Sequence, residues 1–449
     1  MGGKPLNGRP GALTISLFVI SAAAPLTTVF GAVPAAFSSG MTSIVPEMFL
    51  LSGLLYLAFY MLLLSAARNM PASGAYHTYI ARGMGWRVSF AMAAVSLVSY
   101  LFIQLGVAAL FGVFFRDVLG AAGAGVSPWI WSMLALAIAN PLARRPARTS
   151  TLILGIVIGV ELSVLVVVNC FLLFHADISG SLRRSFSGTG LMHDRTGATL
   201  AFIVGSFVGL EAISMFKDES PQAARSERIA TYLSVLFMTG VYVLSSYCIE
   251  AYYFPSDIAV QASRRQELLY FDAIGLLLGQ WWNWGIRILL IVSLFACILS
   301  LSRNVDEYLS SFLFPRRVPM QAERGRACHI QTAMLVAGLM LCLFLGFDPY
   351  RMVFPVCSEI AIFGIVVTQI FVCLSFVAGV GLRGKAMISR AMMPWAALVL
   401  AGLLIEFGFI VMNPQIVYRN SLLLSCWPLA AIGLTGILTF LAAPRRITA

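Results

Sequence analysis

SAAAPLTTVFGAVP, residues Ser21 to Pro34, lies inside an apolar run that carries no charged residue from Ala12 to Phe37. The run has the length and hydrophobicity of a membrane span, yet Pro25, Gly31 and Pro34 interrupt it. A proline inside a helix removes one backbone hydrogen bond and collides with the preceding turn, at a cost of about 3 kcal/mol or more. Hydrocarbon offers no water to the freed groups, so irregular backbone survives there only against protein or a wet cavity. Pro25 suits the first position of a second half-helix, where its missing N–H would have been unpaired anyway. The free amides of that start, backed by the helix dipole, suit a carboxylate. A plain proline kink packed through small residues is the competing reading of this stretch alone.

The rest of the chain tips the balance. Of 449 residues 59% are hydrophobic and 11% charged, against roughly a quarter charged in ordinary soluble domains. That composition calls for an all-α integral membrane protein. The net charge of +11 is spread in short basic clusters between apolar runs, such as Arg144, Arg145 and Arg148. They read as loop ends against anionic headgroups and give no reason to expect nucleic acid. Eight cysteines show no CxxC, and the four histidines at 77, 175, 193 and 329 have no ligand spacing. No metal site and no cofactor is expected.

With about 20 apolar residues needed per crossing, twelve spans can be placed: 12–37, 47–67, 87–115, 128–142, 150–174, 198–215, 229–253, 283–302, 330–347, 353–380, 391–411 and 421–443. With the N-terminal tail (1–11) in the cytoplasm, most of the 30 lysines and arginines fall inside, which puts both termini there and the protein in the cytoplasmic membrane. The C-terminal tail is 444–449. The segment 175 to 197 dissents, being external in this arrangement yet carrying Arg183, Arg184 and Arg195. ELLYFDAIGLLLG, Glu267 to Gly279, is apolar but short and reads as an external helix lying on the protein.

A second interrupted span stands at the place corresponding to the first. In IVGSFVGLEAISMF, Ile203 to Phe216, Gly205 and Gly209 flank Ser206, and Glu211 follows. The second break comes five spans after the first; five is odd, so the second half enters the membrane from the opposite side. Paired interruptions of this kind are the sequence sign of an inverted-repeat transporter. The halves are 12–180 and 198–382, joined by an external loop at 181–197 and followed by two further helices in 383–443.

Three stretches carry a family resemblance. SAAAPLTTVFGAVPAAF is similar to the first helix of bacterial amino acid-polyamine-organocation (APC) superfamily permeases, and PASGAYHTYIARGMG (Pro71 to Gly85) to the loop before their third helix. FVGLEAISMFKDESPQAARS resembles their sixth helix, with Glu211, Asp218, Glu219 and Pro221 matching. The chain departs from relatives in lacking a glycine-serine-glycine break and any basic residue in the fifth span. The resemblance implies a LeuT-type 5+5 fold with helices 1 and 6 broken, alternating access by rocking of helices 1, 2, 6 and 7, and an amino acid or small amine as substrate.

Candidate substrate-binding residues border the breaks: Ser21, Ala22, Ala23, Ala24, Thr27 and Thr28 in the first, Gly205, Ser206, Phe207 and Gly209 in the sixth. Gln104 in the third span is a hydrogen-bonding candidate, with a helix-to-helix bond as its alternative. A carboxylate at mid-helix costs on the order of 3 kcal/mol, so Glu161 and Glu211 are the candidates for proton or charge coupling. Glu406 in a peripheral span leaves room for a homodimer contact or snorkelling. A polyamine or cationic amino acid carrier is the nearest alternative. A membrane enzyme would need a nucleophile with a base or clustered carboxylates and histidines, and a transport-inactive sensor would keep the same helices.

Overall fold

A computed structural model of the chain describes Ser16 and residues 19–20, 23–40, 43–67, 76–120, 125–143, 150–188, 196–210, 221–313, 321–381, 387–412 and 427–443. Among these residues the regular structure is helical throughout, with no strand. The physical reason is the solvent: in hydrocarbon each amide and carbonyl must find its partner within its own segment, which a helix alone provides.

The first half contains α1, a continuous run of Pro25–Thr27, a π-turn Thr28–Ala32 and Val33–Gly40. It is followed by α2 (Val45–Ala67), the short α3 (Tyr76–Gly83), α4 (Trp86–Leu119), α5 (Pro128–Ala143) and α6 (Ser150–Phe174). The connection carries α7 (Ile178–Ser185). The second half contains α8 (Thr196–Gly205), α9 (Pro221–Tyr253), α10 (Ile258–Arg265), α11 (Leu269–Leu277), α12 (Gln280–Leu313), α13 (Gln321–Phe344) and α14 (Phe354–Gly381). Two more helices, α15 (Met393–Met412) and α16 (Trp427–Ala442), complete the described chain. Among the described residues eight helices are long and apolar enough to cross a membrane, and three shorter apolar helices accompany them.

The helices sort into two packed groups. In the first, α1 packs on α8 and α2 on α9. In the second, α4 lies against α5, α12 and α14, and α5 also meets α12 and α13. Bare glycine surfaces set the closest approaches. A Cβ on Gly83 would stand 2.3 Å from the carbonyl oxygen of Ser375, and one on Gly53 the same distance from the Thr239 side chain.

Several edges differ from the hydropathy reading. α12 runs to Leu313, well past the apolar run that ends near 302, because polar residues end a hydrophobic signal without ending a hydrogen-bond ladder. Its Arg303 Nε caps the end of α5 by donating to the Ala143 carbonyl at 3.0 Å. α9 starts at Pro221, ahead of the expected 229, with proline at the helix start where it costs nothing. The connecting segment, expected as loop, holds α7. Its Arg184 donates to Ser43 Oγ, to the Ser256 carbonyl and to Asp257, tying α7 to both neighbours. The basic residue that dissented from the charge pattern is therefore a structural tie. The short apolar helix expected at 267–279 is α11, entered through a 3₁₀ turn.

Candidate functional site

Ala24 sits at φ 45° and ψ 71°, in the left-handed region that side chains with a Cβ avoid, and Pro25 takes the first position of α1. The ladder resumes at once, since Thr28 N–H reaches the Ala24 carbonyl at 3.1 Å. What the break releases is the set of first-turn amides that no helix can satisfy internally. One of them, Leu26 N–H, faces the carboxylate of Glu161 on α6, which has the Ser293 side chain of α12 as a second polar neighbour. Ser293 Oγ also lies 3.4 Å from Thr27 Oγ1. Glu161 is only 2% exposed, and its Oε2 has no hydrogen-bond partner among the described residues.

The second break mirrors the first with opposite polarity. α8 stops at Gly205, and Ser206 to Gly209 form turns, Gly209 at φ 105°. A helix that stops leaves carbonyls over. The Ser206 carbonyl is taken by the Tyr242 hydroxyl of α9 at 3.2 Å, and the Thr28 side chain of α1 faces the same hydroxyl. One buried side chain thus joins the two breaks. Phe207 stacks on Tyr56 with ring centroids 5.0 Å apart and stands edge-on to Tyr242 at 5.8 Å.

On the side of α10 and α11 the site is roofed by aromatic rings. Phe30, one turn beyond the first break, is wedged against Tyr270 at 5.0 Å and Phe271 at 4.9 Å. Arg287 lies over the Phe271 ring and pairs with Asp117. Tyr350 donates to the Gly31 carbonyl at 3.3 Å, satisfying an acceptor in the π-turn.

No family model matches the chain, and no curated protein does. Solved structures do. A mutant manganese transporter from Eremococcus coleocola superposes with a TM-score of 0.55 at 11% identity, covering 98% of this chain and 97% of that one. The same transporter bound to an aromatic bis-isothiourea compound superposes with a TM-score of 0.53 at 12% identity, over 95% and 94% of the two chains. The chain has the fold of a membrane transporter. At that identity the likeness concerns architecture, and the site has to speak for the cargo.

Within this transporter fold the expected residues fare differently. Ala23, Ala24, Thr27 and Thr28 lie at the first break and Gly205, Ser206, Phe207 and Gly209 at the second, all buried apart from the half-buried Gly205. Ser21, Ala22 and Glu211 lie outside the described residues. Gln104 is drawn into a clamp: its Nε2 donates to Asn140 Oδ1 at 3.0 Å and Ser302 Oγ at 2.8 Å, and its Oε1 accepts from Gln331 at 2.8 Å. Asn140 extends the clamp to Thr332 at 2.9 Å. The network stitches α4, α5, α12 and α13 together, the helix-to-helix alternative for Gln104. Glu406, placed by sequence at the periphery, is buried and accepts from Ser52 of α2 at 2.8 Å.

Two site residues, Tyr242 and Ser293, escaped the sequence reading. Ser293 stands as a lone hydroxyl in the apolar run LLIVSLFACIL, a faint signal; Tyr242, in VYVLSSY, carries none. No group of three or more His, Cys, Asp or Glu side chains that could hold a metal ion occurs among the described residues.

Proposed function

We propose that the protein is a secondary transporter of an amino acid or related small amine, proton-coupled, working by alternating access within a twelve-span, LeuT-type 5+5 architecture like that of APC superfamily permeases. The observation that carries the reading is the buried Glu161 carboxylate facing Leu26 N–H at the start of a half-helix, its Oε2 without a hydrogen-bond partner among the described residues. The amide is where a substrate carboxylate binds; the Ser206 carbonyl across from it is where the ammonium group binds. A substrate carboxylate cannot share the amide with an ionised Glu161, because two like charges in one buried site repel strongly. Glu161 therefore takes up a proton as the substrate enters and releases it as the substrate leaves. This exchange fixes one proton to one substrate. The glycine-rich and proline-marked breaks, the packing of α1 and α2 with α8 and α9, and the separate α4–α5–α12–α13 clamp support a bundle that rocks against a frame.

The fold neighbours favour a second reading, a divalent metal ion, since they are described as manganese transporters. Hard divalent cations take about six oxygen ligands, drawn from carboxylates, carbonyls and waters. Among the described residues the first break is faced by one carboxylate and a few hydroxyls. That donor set suits a proton or an amine better.

Uptake into proteoliposomes separates the readings. Labelled amino acids, putrescine and manganese are offered one at a time, with and without an inward proton gradient. Gradient-driven uptake of an amino acid is expected; putrescine or manganese uptake without it overturns the assignment.

A further inference from the structure

Both breaks are already met by the chain's own side chains. Glu161 turns its carboxylate toward the Leu26 amide, and Tyr242 donates its hydroxyl proton to the Ser206 carbonyl at 3.2 Å. Together they present to the two breaks the same groups, one acceptor and one donor, that a zwitterion would bring. The fit is not loose. Tyr242 is fully buried, and its ring is held by Phe49 at 5.2 Å and Phe207 at 5.8 Å, so the ring stays while its O–H can turn.

We propose that Tyr242 is a positioning residue that stands in for the substrate's ammonium group and so allows the unloaded transporter to return across the membrane. The inference rests on the amino acid reading above. In the empty protein the hydroxyl donates to Ser206, with the Thr28 side chain beside it. When an ammonium group arrives, it donates to the Ser206 carbonyl in the hydroxyl's place, and the hydroxyl turns its proton to the neighbouring Thr28 side-chain oxygen. A phenol can play both parts because its O–H can turn from one acceptor to the other. Without the hydroxyl, the empty protein carries a bare buried carbonyl through every return step, a penalty that a loaded protein never meets.

Net uptake requires the empty return, whereas exchange of internal for external substrate does not. The test compares the two modes in proteoliposomes with a ¹⁴C-labelled mixture of the standard amino acids, for wild type, Tyr242→Phe and Thr28→Val. Tyr242→Phe is expected to lower the ratio of net uptake to exchange roughly tenfold, which corresponds to about 1.4 kcal/mol on the return barrier. Thr28→Val, which removes the hydroxyl partner on α1, is expected to shift the ratio in the same direction by less. An unchanged ratio in Tyr242→Phe overturns the place-holder role while leaving the amino acid reading intact. Loss of both modes in both variants also overturns it, because exchange needs no stand-in. Absence of both modes in the wild type overturns the amino acid reading, and the inference with it.

Discussion

Glu161 faces one serine and one main-chain amide, with no cation among these neighbours. Replacing it with glutamine keeps an oxygen for Leu26 N–H and removes the capacity to carry a proton. Glu161→Gln is therefore expected to leave a folded protein whose uptake no longer responds to a proton gradient; pH-jump uptake with a pH-sensitive dye inside the vesicles reads both halves of that outcome. A second residue sets a different pH response. Glu267, in the 3₁₀ turn before α11 and outside the spans, has its carboxyl pushed up from the ordinary value by burial, with Asp348 adding to the shift and Arg351 and Arg116 opposing it. A carboxyl raised in the folded protein contributes stability that is complete below the unfolded value and lost as pH rises through the folded one. Thermal unfolding in detergent is thus expected to show a loss of stability on going from acid to neutral pH that Glu267→Gln reduces.

At the scale of elements, the first break depends on a residue that tolerates the left-handed region. Ala24 pays roughly 1–2 kcal/mol for it, and a β-branched side chain is disfavoured more strongly still. Ala24→Val is expected to destabilise the protein by a further ~1–2 kcal/mol and to depress uptake, whereas Ala24→Gly is expected to retain both. The frame is tested at Asn140, which meets Gln104, Ser302 and Thr332. Asn140→Ala strands buried polar partners on three helices, each worth about 1–3 kcal/mol, so a large fall in melting temperature is expected. Gly83→Ala forces a methyl group to within 2.3 Å of the Ser375 carbonyl of α14. Backbone cannot give way as a side chain can, so a loss of about 1–3 kcal/mol is expected from the same melting measurement.

At the scale of the whole molecule, the packing divides the helices into a group built on α1, α2, α8 and α9 and a group built on α4, α5, α12 and α13. Alternating access by rocking predicts that spin-label distances between α2 and α13 shift when transported substrate is added, while distances between α4 and α13 do not. Equal shifts in both pairs would reject rigid-body rocking.

Composition and spacing were enough to announce a multi-pass helical membrane protein, to mark Pro25 as the start of a half-helix, and to single out Glu161 and the Gly205–Gly209 turn. Those features are local: a proline, a glycine pair and a charge in an apolar run each state their cost within a few residues of themselves. The partners that answer those costs are remote. Ser293 meets Thr27 across 266 positions of chain, and Tyr242 meets Ser206 across 36. Gln104 looked as fit for a substrate as for a neighbouring helix until Asn140, Ser302 and Gln331 were brought around it. Sequence thus determined where the backbone must open, because that penalty is intrinsic to the residue. Only tertiary structure decided what closes it, because a hydrogen bond is settled by which groups helix packing brings within about 3 Å.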